Sequence, residues 1–230
     1  MQDPNPFEDP TVAREWIASI EAEAGTSRDE EIYPFLYEWS KSPPSKTIVE
    51  IGSGQGACSS KLDFSSDNRY IGIEPSEILL TRARELYPEP NKTFLKGTAY
   101  STGLDDASVD AVFGVGVWFH LEDLDAAHNE IGRILKSEGR LLIFTSNPEA
   151  IGLWESWFIE PRREGKRIEG KVVVPKGTLT NNILYIHTKE ELVDSLSRNG
   201  FQIISIKEIG FGANNKREKG AWIMIEAVKI

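Results

Sequence analysis

Three closely spaced glycines with an acidic residue on either side are the part of this sequence best suited to bind a ligand. Gly52, Gly54 and Gly56 lie in the stretch VEIGSGQGAC, Glu50 precedes them, and Glu74 ends the next apolar run. Glycine lets the backbone approach a ligand closely because it has no Cβ. A glycine-rich turn between a buried strand and a helix is typical of sites that bind nucleotides.

The glycine run is compatible with more than one ligand. As G-x-G-x-x-A, from Gly52 through Gly54 to Ala57, it predicts a dinucleotide site in which Glu74 holds a ribose and favours NAD over NADP. As E-x-G-x-G-x-G, it places the Glu50 carboxylate where a pyrophosphate would be repelled, which suits a ligand with an ammonium and a sulfonium group. A non-catalytic domain that keeps such a ligand as a sensor is a third interpretation.

From Lys46 onward, strand and helix patterns alternate, and this alternation must position the glycine run. Short apolar runs such as TIVEIG and RYIGIE predict strands, and SEILLTRARELY and LEDLDAAHNEIGRILK predict helices. We also expect a helix to begin within GACSSKLDF. The pattern predicts a doubly wound α/β sheet of parallel strands. The last two apolar runs are joined too closely for a crossover helix, so they are expected to pair antiparallel.

Composition excludes several functional classes. The 230 residues carry a formal net charge of −10, which argues against a nucleic-acid partner. The one cysteine, Cys58, excludes an internal disulfide and a multi-cysteine metal site. The N-terminus lacks the pattern of a signal peptide, and no apolar run approaches the ~20 residues of a membrane span. We therefore expect a cytoplasmic protein with no metal, nucleic-acid or membrane partner, and the oligomeric state stays open.

The segments VEIGSGQG and YIGIEPSEILLTRAREL resemble the first motif and its neighbour in class I S-adenosylmethionine-dependent methyltransferases. The similarity covers residues 46–146 and is greatest to the methyltransferase type 11 group, which resembles the ubiquinone-biosynthesis enzymes. It implies a Rossmann-like, seven-stranded sheet in the order 3-2-1-4-5-7-6 with the last strand antiparallel. It also implies an N-terminal helical cap at 1–45 and a methyltransferase domain at 46–230, with an insertion at 148–186 after strand five.

The resemblance further implies which residues bind the cofactor, S-adenosylmethionine. Glu50 is expected to help hold its amino end, and Glu74 to accept hydrogen bonds from both ribose hydroxyls. Thr98 stands where the family usually has an acidic residue that reads the adenine amino group, so its hydroxyl is expected to take over that contact. The full set of implied cofactor-binding residues is Glu50, Gly52, Ser53, Gly54, Glu74, Pro75, Thr98, Ala99 and Val115.

The resemblance implies direct methyl transfer to a small-molecule acceptor on oxygen, nitrogen or carbon. Such a reaction needs alignment and exclusion of water, and it needs a general base only if the attacking atom must lose a proton. His120, in GVWFHLED after the fourth strand, is the candidate base, and a structural role is its alternative. Aromatic residues flank the expected opening and predict either an apolar lid or packing of the N-terminal helices. These residues are Trp118, Phe119, Trp154, Trp157 and Phe158.

Overall fold

The computed structural model of the protein describes residues 5–22, 28–41, 46–64, 67–150, 152, 155, 157–174, 177–211 and 218–230. Trp154, one of the aromatic residues expected at the opening, lies outside these ranges. The same is true of residues 42–45, where the N-terminal cap was expected to end. The boundaries of the cap and of the insertion therefore stay predictions.

Strands and helices alternate through the middle of the chain. The described strands are β1 (Thr47–Ile51), β2 (Arg69–Glu74), β3 (Lys92–Lys96), β4 (Val109–Val115), β5 (Leu135–Ser146), β6 (Phe158–Glu164), β7 (Arg167–Val174), β8 (Gly177–Tyr185), β9 (Phe201–Phe211) and β10 (Glu218–Lys229). The described α-helices are α1 (Pro10–Glu21), α2 (Tyr33–Ser40), α3 (Glu77–Leu86), α4 (Leu124–Ile134) and α5 (Lys189–Arg198). None of the helices in the described part of the chain is long and apolar enough to cross a membrane.

Seven of these strands form the main sheet, in the order β3-β2-β1-β4-β5-β10-β9. The strands from β1 to β5 pair in parallel, whereas β10 runs antiparallel to both β5 and β9. With β9 and β10 counted as the sixth and seventh strands of this sheet, the order is the predicted 3-2-1-4-5-7-6. The predicted Rossmann-like fold is confirmed.

Apolar side chains cover both faces of the main sheet. On one face, residues of β1 and β4 pack with Ile131 of α4 and Leu196 of α5. On the other face, Ile48 and Phe113 pack with Leu36 of α2 and Leu80 of α3. This burial fixes the sheet between two helical layers, because apolar area removed from water contributes about 25 cal/mol per Å².

The prediction that a helix begins within GACSSKLDF is wrong. Only a single 3-10 turn forms there, over Ala57–Ser60, directly after Gly56 in the left-handed region at φ +80°. Serine and aspartate side chains bond to nearby backbone groups and so favour turns over helix interiors. Leu62 is nevertheless buried in the core, so the segment still packs against the sheet.

A second sheet of three antiparallel strands, in the order β6-β7-β8, lies outside the main one. Strand β6 is polar and exposed after Phe158, so its residues lack the alternation that predicts a strand. One face of this small sheet packs on α1 and on the turn after β4. We call this packing the outer cluster, and its members are Val12, Phe158, Ile168, Val172 and Leu184, with Phe7, Trp16, Phe119, Trp157 and Ile186 partly buried against them.

Candidate functional site

The predicted cofactor residues follow four neighbouring strands at one edge of the main sheet. Residues 50–53 end β1, Glu74 and Pro75 end β2, Thr98 and Ala99 follow β3, and Val115 ends β4. Connections leave β1 and β4 in opposite directions across the sheet, and ligands of open α/β sheets bind in the crevice at that point. The topology therefore brings the whole predicted set to one place.

The glycine loop has a backbone that only glycine adopts without strain. Gly52, Gly54 and Gly56 have φ angles of +68°, +54° and +80°. The amide of Gly52 donates to the Ile73 carbonyl at 2.8 Å, which ties the loop to the end of β2. A Cβ on Gly52 would lie 2.3 Å from Cγ2 of Val117. Gly52 is therefore required both by its dihedral angle and by its close packing.

Glu74 is buried and already held by two backbone donors. Its Oε2 accepts from the amide of Gly54 at 3.0 Å, and its Oε1 accepts from the amide of Ser76 at 2.9 Å. Burial raises the pKa of Glu74 to about 7, and the two amide donors partly oppose that increase. Each carboxylate oxygen can accept more than one hydrogen bond. Glu74 therefore keeps acceptor capacity for a pair of ribose hydroxyls.

Glu50 points into the protein on the side of β1 that faces Tyr70. The Tyr70 hydroxyl donates to Oε2 of Glu50, and Glu50 is 2% exposed. Burial raises the pKa of Glu50 to about 7, while Tyr70, Cys58 and the positive charge of Arg28 lower it. These protein partners orient the carboxylate, and its contact with the amino end of the cofactor stays a prediction.

Arg28 was not singled out in the sequence, although the fold carries it to this crevice. Its Nη2 lies 3.3 Å from the position that a Cβ on Gly116 would occupy, just past β4. Its guanidinium carbon is 5.9 Å from the centre of the Trp16 ring. No local signal distinguishes Arg28 within the polar stretch GTSRDEE, so only the tertiary structure reveals a cation beside Glu50.

The remaining predicted cofactor residues surround the loop. Oγ1 of Thr98 accepts from the amides of Tyr100 and Ser101 at 3.2 and 3.1 Å, so its own hydrogen is available to donate. Ala99 and Val115 are buried, and Pro75 is partly exposed. Oγ of Ser53 lies 2.7 Å from the position of a Cβ on Gly72 in β2. Their contacts with a cofactor stay predictions.

His120 ends the 3-10 turn Trp118–His120, which follows β4. Its Nδ1 is 2.9 Å from the carbonyl oxygen of Ile183 on β8. A carbonyl can only accept, so Nδ1 carries the proton and Nε2 keeps its lone pair. Burial lowers the pKa of His120 to about 4, so the ring is neutral at pH 7. The rings of Phe119 and Phe7 lie 4.7 and 6.5 Å from it, centre to centre.

A second histidine connects the small sheet to the same turn. Nε2 of His187, which follows β8, donates to the carbonyl of Leu121 at 2.6 Å. The two histidines therefore join the turn after β4 to the end of β8 by reciprocal bonds. His120 of the turn bonds to a carbonyl of β8, and His187 after β8 bonds to a carbonyl of the turn. This pair fixes the open edge of β8 against the residues that follow β4.

His128 serves a different purpose, inside the core. The indole Nε1 of Trp118 donates to Nε2 of His128 at 2.9 Å, and Nδ1 of His128 is 2.8 Å from Oγ of Ser195. The Ser195 hydroxyl in turn donates to Asp125 at 2.6 Å. Burial lowers the pKa of His128 to about 3, so it stays neutral. Trp118 is fully buried in this network and does not line the opening, which settles it as a packing residue.

Comparisons with known proteins agree with this geometry. Residues 49–143 match the family described as "Methyltransferase domain". An uncharacterized methyltransferase of Mycobacterium tuberculosis is 25% identical over 182 residues, which cover 76% of this chain and 73% of that protein. An O-methyltransferase of Pyrenophora dematioidea is 27% identical over 129 residues, 51% of this chain and 48% of that protein. A SAM-dependent methyltransferase structure from Methanosarcina mazei has a TM-score of 0.66 at 20% identity, covering 81% of this chain and 93% of that one.

Proposed function

This chain is a class I S-adenosylmethionine-dependent methyltransferase, and we propose that it methylates a hydroxyl group of a small, largely apolar acceptor. The observation that carries the proposal is the state of His120. Its Nδ1 proton is committed to Ile183, so a neutral Nε2 remains as a base next to the rings of Phe7 and Phe119. The relative named as an O-methyltransferase supports the same chemistry.

The cofactor residues fit S-adenosylmethionine by their own chemistry. The buried carboxylate of Glu74 suits a ribose diol, since hydrogen bonds to a charged group contribute roughly 1.5–3 kcal/mol. Arg28 is the cation proposed to bind the cofactor carboxylate, and Glu50 beside it is proposed to hold the ammonium group. The bound cofactor supplies a methyl group on a sulfonium, a leaving group that needs no further activation.

On the acceptor side, the protein must orient an oxygen and accept a proton. We assign Nε2 of His120 as the group that takes the proton when the hydroxyl oxygen becomes methylated. The aromatic side chains of the outer cluster exclude water and present an apolar surface. They include Phe7, Phe119 and Trp157. Burial lowers the pKa of His120 to about 4, so Nε2 is unprotonated and able to accept a proton at neutral pH, although the same shift makes it a weaker base than an ordinary histidine.

The first test compares two ligands by isothermal titration calorimetry. S-adenosylhomocysteine is expected to bind, and NADH is not expected to bind. Tight NADH binding with none for S-adenosylhomocysteine would restore the oxidoreductase interpretation of G-x-G-x-x-A. Binding of S-adenosylhomocysteine without turnover on any phenol or alcohol in a broad panel would overturn the proposed acceptor chemistry and leave methylation of nitrogen or carbon, or the sensor interpretation.

The second test separates the two roles of His120 with a matched pair of variants. In His120→Asn the amide group can still donate to the Ile183 carbonyl, but the base is gone. In His120→Leu both the donor and the base are lost. We expect both variants to lower kcat by roughly 10²–10⁴-fold, the usual contribution of a general base. Wild-type kcat in His120→Asn, with a loss only in His120→Leu, would make the residue structural.

A further inference from the structure

Asn182 is a buried polar side chain on the face of the small sheet that forms the outer cluster. It pairs with Gly170 of β7 and is two residues from Leu184, so all three share one face. It is 4% exposed. Among the residues that the structure describes, its Oδ1 has no hydrogen-bond partner.

An unsatisfied buried acceptor is costly and therefore informative. Leaving one buried polar group without a partner costs about 1–3 kcal/mol, and most buried polar atoms in native proteins are paired. A water molecule needs two to four polar partners to replace the missing one, and the described side chains of the outer cluster are mostly hydrocarbon or aromatic. A leucine at this position would suit those neighbours better. The most direct explanation is a partner that the chain itself does not provide.

The position of Asn182 relates it to the proposed reaction. The next residue, Ile183, gives its carbonyl to His120, so Asn182 lies beside the point where β8 meets the turn after β4. The face that carries Asn182 also packs against Phe119 and Trp157. Asn182 is therefore adjacent along β8 to the residue that holds His120, on the face that packs against these rings.

We propose that Asn182 determines acceptor specificity, by accepting a hydrogen bond from a second hydroxyl group on a ring-bearing acceptor. The first hydroxyl of that acceptor is the one methylated beside His120, so this inference rests on the proposed function. The acceptor class is thus an uncharged aromatic compound with two separated hydroxyl groups. The second hydroxyl is not methylated in the same binding mode, because Asn182 offers no base.

Stability measurements provide the first arm of the test. We expect Asn182→Leu to raise the melting temperature of the ligand-free protein, because it removes an unsatisfied buried group. Asn68 is the matched control, since its side chain bonds to the backbone of Lys46 and Asp63. Asn68→Leu is expected to lower the melting temperature. A comparable decrease for Asn182→Leu and Asn182→Ala would show a structural partner and overturn the proposal.

Acceptor selectivity provides the second arm. Methyl transfer is measured for phenol and 4-ethylphenol against resorcinol, hydroquinone and 4-(2-hydroxyethyl)phenol, at saturating S-adenosylmethionine. In the wild type we expect kcat/KM for at least one of the compounds with two hydroxyl groups to be at least tenfold higher than kcat/KM for the corresponding compound with one hydroxyl group. Asn182→Leu and Asn182→Ala are expected to abolish that preference while the affinity for S-adenosylhomocysteine stays unchanged.

The outcomes distinguish this inference from the proposed function. Methylation of the phenols with the same preference in wild type and variants overturns the role of Asn182 and leaves the proposed function intact. A wild type with no preference for a second hydroxyl also overturns it. If no phenol is methylated although S-adenosylhomocysteine binds, the proposed acceptor chemistry fails, and the role of Asn182 fails with it.

Discussion

The two sides of the crevice are built in different ways. The cofactor side comes mainly from the continuous segment 46–146, in which Glu74 and Gly54 are joined by a hydrogen bond over 20 residues of sequence, and Arg28 is added from the N-terminal segment. The acceptor side brings together α1, the turn after β4 and the small sheet. There, the bond between His120 and Ile183 spans 63 residues, and the one between His187 and Leu121 spans 66.

This difference shows which parts of a site depend on backbone geometry and which depend on tertiary contacts. On the cofactor side, amide groups and left-handed glycines shape the loop, so substitutions there should act on cofactor affinity. On the acceptor side, individual side chains make the connections, so substitutions should act on turnover and selectivity. The five predictions below test the cofactor side of this division, beginning with the largest expected effect.

Gly52→Ala should damage the cofactor side most. A left-handed backbone costs a residue with a Cβ about 1–2 kcal/mol, and the new methyl group must also displace Val117, which would lie 2.3 Å away. Because the loop must move to relieve this strain, we expect it to lose its binding geometry and the affinity for S-adenosylhomocysteine to fall by about 100-fold, about 2.7 kcal/mol, measured by calorimetry.

Gly103→Ala is the matched control, because Gly103 also has a positive φ, +75°, but no atom lies within 4 Å of the position of its Cβ. That variant should lower the melting temperature slightly and leave affinity unchanged. If both variants bind S-adenosylhomocysteine like the wild type, the glycine loop does not contact the cofactor.

Glu74→Gln should weaken S-adenosylhomocysteine binding by roughly 10–100-fold, since charge-assisted hydrogen bonds contribute about 1.5–3 kcal/mol. The amide oxygen can still accept from one backbone amide, so the fold should persist. Calorimetry against Glu77→Gln, an exposed residue on the neighbouring helix, provides the comparison. Equal affinities for the two variants would contradict the ribose assignment.

Arg28→Met tests a residue that the N-terminal segment contributes to the cofactor side. We expect about a tenfold loss of affinity for S-adenosylhomocysteine, because the substitution removes the positive charge that is proposed to bind the carboxylate of this ligand. Adenosine lacks that carboxylate and serves as the control ligand, with its affinity expected to be unchanged. An equal loss for both ligands would show that Arg28 only supports the packing of Trp16 and Glu50.

The smallest predicted effect is a pH dependence of cofactor binding. Because the pKa of Glu74 is about 7, its carboxyl group is largely protonated below that pH and becomes a charged acceptor above it. Affinity for S-adenosylhomocysteine should increase by about fivefold from pH 6 to pH 8 in the wild type. The increase should be smaller in Glu74→Gln, and an identical profile would exclude Glu74 as its source.

The same shift affects stability with the opposite sign. A carboxyl pKa that is raised on folding means that the native state binds more protons than the unfolded state. Stability of the ligand-free protein should therefore fall as the pH rises from about 4.5 to about 7, through the ordinary and the raised pKa of Glu74. Thermal melts of Glu74→Gln across that range should show a shallower fall than the wild type.

Sequence patterns predicted the alternating strands and helices, and the resemblance implied the sheet order, whereas binding of the cofactor by the named residues stays a prediction. Alternating strands and helices require parallel pairing, and parallel pairing brings Glu50, Glu74 and Val115 to one edge of the sheet. The short 3-10 turn after Gly56 escaped prediction, because its apolar residues carry no period that distinguishes a helix from a turn. The strand β6 was missed for a related reason, since its exposed residues do not alternate.

The sequence by itself determined the alternation of strands and helices and the glycine loop, because these follow from local periodicity and from the steric freedom of glycine, whereas the order of the strands was implied by the resemblance to a known family. Only the tertiary structure decided that Arg28 acts on the pKa of Glu50, that burial keeps His120 neutral with its Nδ1 proton directed to Ile183, and that Oδ1 of Asn182 has no hydrogen-bond partner among the described residues. These features join residues that are far apart along the chain. Their burial and charge depend on which surfaces pack together, and no local pattern of residues encodes that.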